Sequence, residues 1–106
     1  MANVYNAQSQ RVGRVEDDGV VYDATGHAVG YVGRDGRVFD GLSRPLGSVS
    51  GRGDLFDVRG DPIGRVRADG GVLDWRDQYV GYVAGDLGPL LKGGAAVLLL
   101  GLTPPW

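Results

Sequence analysis

A 17-residue unit recurs in this chain without insertion or deletion. Its copies are Val12–Ala28, Val29–Pro45, Leu46–Pro62 and Ile63–Tyr79, followed by a half unit at Val80–Val83. Upstream, Val4-Tyr5-Asn6 matches the second half of the unit. Five columns fix the register. Gly13, Gly30, Gly47, Gly64 and Gly81 form one; Val15, Val32, Val49, Val66 and Val83 form another. Gly19, Gly36, Gly53 and Gly70 form the third. Tyr22, Phe39, Phe56 and Leu73 form the fourth, with Tyr5 ahead of them, and Asp23, Asp40, Asp57 and Asp74 the fifth, with Asn6 ahead. A unit this short cannot hold a helix pair or a propeller blade. It holds two strands of four to six residues, each closed by a turn.

The turns are of two kinds. The first has the form x-x-Asp-Gly, as in Arg34-Asp35-Gly36, where Gly takes the positive φ of a bulged hairpin. The second has the form Asp-x-x-Gly, as in Asp57 to Gly60, a type I preference; Ser43 and Asp77 depart from it. Pro45 and Pro62 fall where no ladder donor is lost. The reading is an antiparallel meander that starts on a second-half strand and ends its repeat on a first-half strand. Pairing those halves removes both open edges. The petal count is then four or five, according to where the unit is cut. Both strand faces read as apolar, which predicts cover on both sides of the ring.

The repeat stops near residue 87. Pro89–Leu102 reads PLLKGGAAVLLLGL, with Pro89 at a helix start and Thr103-Pro104-Pro105-Trp106 as its stop. Gly93 and Gly94 weaken its middle, where a break is open. A membrane span needs roughly 20 apolar residues. This run is shorter and contains Lys92, and its small residues suit a narrow lumen. The favoured reading is a central helix that plugs the ring; a membrane-associated module is the alternative. The fold class is therefore all-β with one C-terminal helix: hairpin repeats over residues 1–86 closed around an apolar segment, 87–106, in one domain of 1–106.

Composition narrows the function. Eleven Lys and Arg stand against 13 Asp and Glu, so no nucleic-acid partner is expected. Cys is absent and His27 is the only His, which excludes disulfide, thiol and Cys/His zinc chemistry. The N-terminal residues show no export signal, so a cytoplasmic location is expected. The Asp column suggests a cation or carbohydrate binder, yet turn chemistry alone explains each Asp. No phosphate-loop motif and no positioned acid–base pair is visible, so neither enzyme activity nor a cofactor is expected. The weak candidate binding surface is the variable column after the repeat Gly: Arg14, Tyr31, Ser48, Arg65 and Tyr82. The first loops add Arg34, Arg37, Arg52 and Arg67, and Trp75 or Trp106 could pack over the ring's ends.

The pattern VYDATGHAVGYV and its copies resemble bacterial β-flower proteins, and most nearly the 4-fold β-flower domain, over Val4–Val83. The resemblance implies petal-like hairpins around a pseudo-symmetry axis with an apolar segment at the centre. It places no catalytic residue on any position. The resulting expectation is a non-enzymatic structural or binding module, with a protein partner or a second copy as its possible partners.

Overall fold

The structure, a computed structural model, describes residues 1–100 and Leu102. Ten short strands run in chain order: β1 Ala2–Asn6, β2 Arg11–Val15, β3 Val20–Asp23, β4 Ala28–Val32, β5 Arg37–Asp40, β6 Pro45–Val49, β7 Asp54–Asp57, β8 Pro62–Val66, β9 Gly71–Asp74 and β10 Tyr79–Ala84. One helix, α1, follows at Pro89–Leu99. The strands close into an antiparallel barrel in which β1 pairs with β10. No open edge is left in the ring, as the two complementary half units require.

The pairing registers settle the petal count. Within the hairpin β2–β3 the register is regular: Gly13↔Asp23, Arg14↔Tyr22, Val15↔Val21. The hairpins β4–β5, β6–β7 and β8–β9 repeat it. Between hairpins the register always shifts by one residue. The β1–β10 pair is regular, with Val4↔Val83 and Tyr5↔Tyr82. It is therefore a fifth petal of the same kind, assembled from two distant segments. The expected four-fold count is corrected to five.

Each first turn closes as its sequence requires. Gly36 N–H donates to the Gly33 carbonyl at 3.0 Å, and Gly36 has φ +87°. The carbonyl of Gly36 in turn accepts from Val49 N–H of the next petal at 2.8 Å. Gly19, Gly53 and Gly70 do likewise toward Val32, Val66 and Val83. So this glycine column closes one hairpin and ties it to the next. The fifth petal has no such turn, and Ala2 stands in the glycine column with extended backbone.

The shifts between petals are β-bulges, in which two residues oppose one. The extra residue is each time the aliphatic one before the repeat Gly: Val12, Val29, Leu46, Ile63 and Val80. Strict alternation would put these side chains outside. The bulge re-aims them, so Ile63 is buried and Val12, Val29 and Val80 pack against the core. The predicted cover on both faces is corrected accordingly. The helix fills the inside, and among the described residues no element lies over the outside.

The core is a ring of ten aliphatic side chains: Val4, Val15, Val21, Val32, Val38, Val49, Leu55, Val66, Val72 and Val83. Each sits in a cross-strand pair, and all are at most 5% exposed. α1 runs through this ring, with Gly93, Gly94, Ala95 and Ala96 buried at its level. A Cβ on Gly94 would meet Val32 Cγ1 at 2.8 Å, and one on Gly93 would meet Val49 Cγ1 at 2.6 Å. The small residues are thus what lets a helix fit a ring of ten. Leu98, Leu99 and Leu100 then lie over Gly30, Gly13 and Gly81 of the strand-glycine column. The helix is continuous through Gly93–Gly94, because wall contacts outweigh the ~1 kcal/mol propensity cost of each Gly. Thr103–Trp106, the expected stop, lies outside the described residues.

Three second turns carry a non-Gly residue in left-handed backbone: Ser9, Ser43 and Asp77, at φ 64°, 64° and 63°. Ser43 accepts a hydrogen bond from the Tyr31 hydroxyl at 3.2 Å, and Asp77 lies 3.4 Å from Arg65. Ser9 is the cleaner probe of backbone strain. Ser9→Gly is expected to raise unfolding stability by about 0.5–1 kcal/mol, measured by urea denaturation. A loss of stability would show that the strain is not there.

Candidate functional site

The residues singled out by sequence fall on the outer wall, one on each petal. Each faces the aromatic column of its own hairpin. The Arg14 guanidinium lies 4.3 Å from the centre of the Tyr22 ring and bonds Glu16 Oε1 at 2.9 Å. Tyr31 stacks on Phe39 with ring centres 5.0 Å apart. Ser48 opposes Phe56, Arg65 opposes Leu73, and Tyr82 opposes Tyr5. Stacked and cation–π pairs of this kind contribute about 0.5–1.5 kcal/mol each. The structure does not gather Arg14, Tyr31, Ser48, Arg65 and Tyr82 into one pocket. It spaces them around the wall as five related but unequal faces.

The aspartate column is absorbed by the second turns. Asp57 Oδ1 accepts from Arg59 N–H and Asp61 N–H, both at 2.9 Å. Asp23, Asp40 and Asp74 make the same pair of bonds, and Asn6 makes them without a charge. Each carboxylate faces its own turn, and among the described residues no three acidic or His side chains converge as a metal site. The Arg44 and Leu42 amides, together with the Arg44 side chain, hold the Asp40 carboxyl below its ordinary value against the opposing effect of burial. The Thr25 hydroxyl and the His27 amide do the same for Asp23. A folded-state value below the unfolded one adds stability that is present above about pH 4, the unfolded value, and lost as pH falls through the folded one. Thermal melting of the wild type is expected to drop below that pH. In Asp40→Asn the turn persists, as at Asn6, and the acid drop becomes shallower. An unchanged acid profile would contradict this.

His27 is exposed at 83%, with its Nδ1 2.7 Å from the Thr25 hydroxyl. Trp75 does not cap the ring. It stays 42% exposed on a second turn, with the Arg76 guanidinium 4.8 Å from its ring centre. Trp106 lies outside the described residues. Leu42 and Val58 are also exposed on second turns, at 75% and 61%. A groove of about 360 Å³ runs between the second and third petals, with Phe39, Pro45, Ser48 and Val58 in its walls.

Five regular petals, five bulged joints and a central helix make up the domain. The model of the 5-fold beta-flower protein family matches residues 1–97. The chain belongs to this family. The match spans the whole ring and most of the helix of this β-flower, and it agrees with the petal count read from the registers. No curated protein and no solved structure matches the chain. In this β-flower no helix among the described residues is long and apolar enough to cross a membrane. The apolar segment is instead the inner plug.

Two features escaped the sequence reading. One is the exposure of Leu42 and Val58 on the second turns, which the sequence analysis did not single out. The other is a meeting of cations at the first-turn end of the barrel, where Lys92 joins Arg52 and Arg67 around one cleft. Its sequence signals were Arg52 in the column of Asp18, Asp35 and Asp69, and one Lys in an apolar run.

Proposed function

We propose that this β-flower is a non-enzymatic binding module, a plugged ring whose outer wall meets a protein partner. One observation carries the reading: inward columns repeat with little change, whereas outward columns differ from petal to petal. Arg14 on Tyr22, Tyr31 on Phe39 and Tyr82 opposite Tyr5 present different chemistry on one repeated frame. Folding requires the inner columns; it does not require that variety outside. Exposed Leu42, Val58 and Trp75 add apolar contact area beside it. Tyr, Trp and Arg are the residues that dominate protein interfaces.

The test is sedimentation velocity and melting of the wild type and of a variant with Arg14, Tyr31, Arg65 and Tyr82 changed to Ala. The variant is expected to keep the barrel's β-sheet spectrum and cooperative melting. If a second copy is the partner, the wild type gains mass with concentration and the variant does not. A wild type that stays monomeric places the partner in another chain. A variant that fails to fold would assign these residues to the fold and defeat the reading.

A further inference from the structure

We infer that the cleft between the first turns of the third and fourth petals binds a phosphate group. The cleft has a volume of about 350 Å³, within the range of small-ligand sites. Its walls include Arg52, Arg67, Ala68, Leu87, Pro89 and Lys92, and no carboxylate lines it. Its lining includes none of Arg14, Tyr31, Ser48, Arg65 and Tyr82, so it stands independently of the protein-binding reading.

Three features build it. In the first turns of petals one, two and four, the third residue is Asp, and its carboxylate accepts the amide two residues on: Asp18 from Val20, Asp35 from Arg37, Asp69 from Gly71. In petal three that residue is Arg52. Its turn is held instead by the Ser50 hydroxyl, which accepts from Arg52 N–H at 3.3 Å and Asp54 N–H at 3.1 Å. The exchange replaces a turn carboxylate with a guanidinium and keeps the turn. Second, Lys92 is the only Lys of the sequence, and it interrupts an otherwise apolar helix. It is half-buried there and lines the cleft. Third, Arg67 lines the cleft with its stem, while its guanidinium turns over Gly71 and lies 3.5 Å from Asp69. The positive end of α1 lies at the same place.

Arg52 and Lys92 on one cleft fit the charge of a phosphate dianion, with Arg able to bond two oxygens at once. The contrast within the same end of the barrel is direct. The cleft between petals one and two, about 370 Å³, is lined by Asp17, Asp18 and Arg34, so its charges are mixed. The phosphate could be free in solution or part of a lipid headgroup, and the two sources are separable.

The experiment titrates inorganic phosphate into the full-length protein at constant ionic strength and follows backbone amide shifts. Saturable shifts are expected at Gly51–Gly53 and Ala68, with a dissociation constant roughly in the millimolar range. Lys92→Met and Arg52→Asp should each weaken binding by about ten-fold or more, whereas Arg34→Met should not change it. Melting curves verify that the variants are folded. In a second arm, vesicles of phosphatidylcholine with phosphatidic acid are sedimented with each protein. Binding there that requires Arg52 and Lys92 assigns the headgroup source; phosphate binding without vesicle binding assigns a soluble ligand. Non-saturating shifts with no vesicle binding, or binding that survives both variants, would overturn the site.

Discussion

Replacing Gly94 by Ala is expected to destabilise the protein by about 2–4 kcal/mol, against the sign that helix propensity alone gives. In an exposed helix the same change stabilises by roughly 1 kcal/mol. Here the new methyl would lie closer to Val32 than real Cβ atoms approach, with Cγ1 at 2.8 Å and Cγ2 nearer still. Val32 cannot yield freely, because it is pinned in the ring of ten and its amide donates to Gly19. Overpacking of this kind forces side chains off their rotamers or pushes helix and wall apart. The change should also be specifically reparable. Val32→Ala alone leaves a cavity, but in the double variant the methyl added by Gly94→Ala occupies part of it. The pair should therefore be less destabilised than the sum of the two singles by about 1–2 kcal/mol. Urea denaturation of the four proteins gives the cycle. A stabilising Gly94→Ala would mean that α1 does not lie in the ring.

The second large effect concerns two glycines with nearly the same backbone. Gly36 has φ +87° and Gly26 φ +89°. Conformation alone would assign both Ala substitutions the same cost, about 1–2 kcal/mol. Their surroundings differ. Around Gly26 a Cβ meets nothing within 4 Å. At Gly36 it would collide with the Val49 carbonyl oxygen and touch Leu90 Cδ2 at 3.1 Å. The collision lies beside the hydrogen bond from Val49 N–H to the Gly36 carbonyl that joins petals two and three. Gly36→Ala should therefore cost about 3–4 kcal/mol, adding a strained inter-petal bond to the backbone term. Gly26→Ala should stay near the backbone term. Equal losses in thermal or urea unfolding would contradict the inter-petal role of the first-turn glycines.

These cases show what the sequence made legible. The 17-residue period, the two turn chemistries and the small-residue stretch in the apolar tail all follow from local rules. From them came the strands, the closure of the ring and the plug. The petal count stayed ambiguous because the fifth petal is divided between Val4-Tyr5-Asn6 and Val80–Val83, and only the pairing register shows that it equals the others. The direction of Val12, Val29, Ile63 and Val80 was misread because period-two alternation assumes no bulge, and every inter-petal joint has one. Of the candidate site, the outward column was legible, but its spacing around a wall was not. The meeting of Lys92 with Arg52 and Arg67 was hidden for another reason. The helix brings Lys92 back along the barrel axis, and no local pattern encodes that return.

The two ends of the repeat close a ring of five petals around the helix. One nuclear Overhauser spectrum of the uniformly labelled full-length protein tests it most directly. The closed ring should give cross-strand contacts between Val4 and Val83, of the same kind as those between Val15 and Val21. It should also give contacts from the Gly94 α protons to the Val32 methyl groups. A spectrum in which Ala2–Asn6 contacts only Arg11–Val15, or in which Gly94 contacts no wall valine, would contradict the closed, plugged five-petal ring.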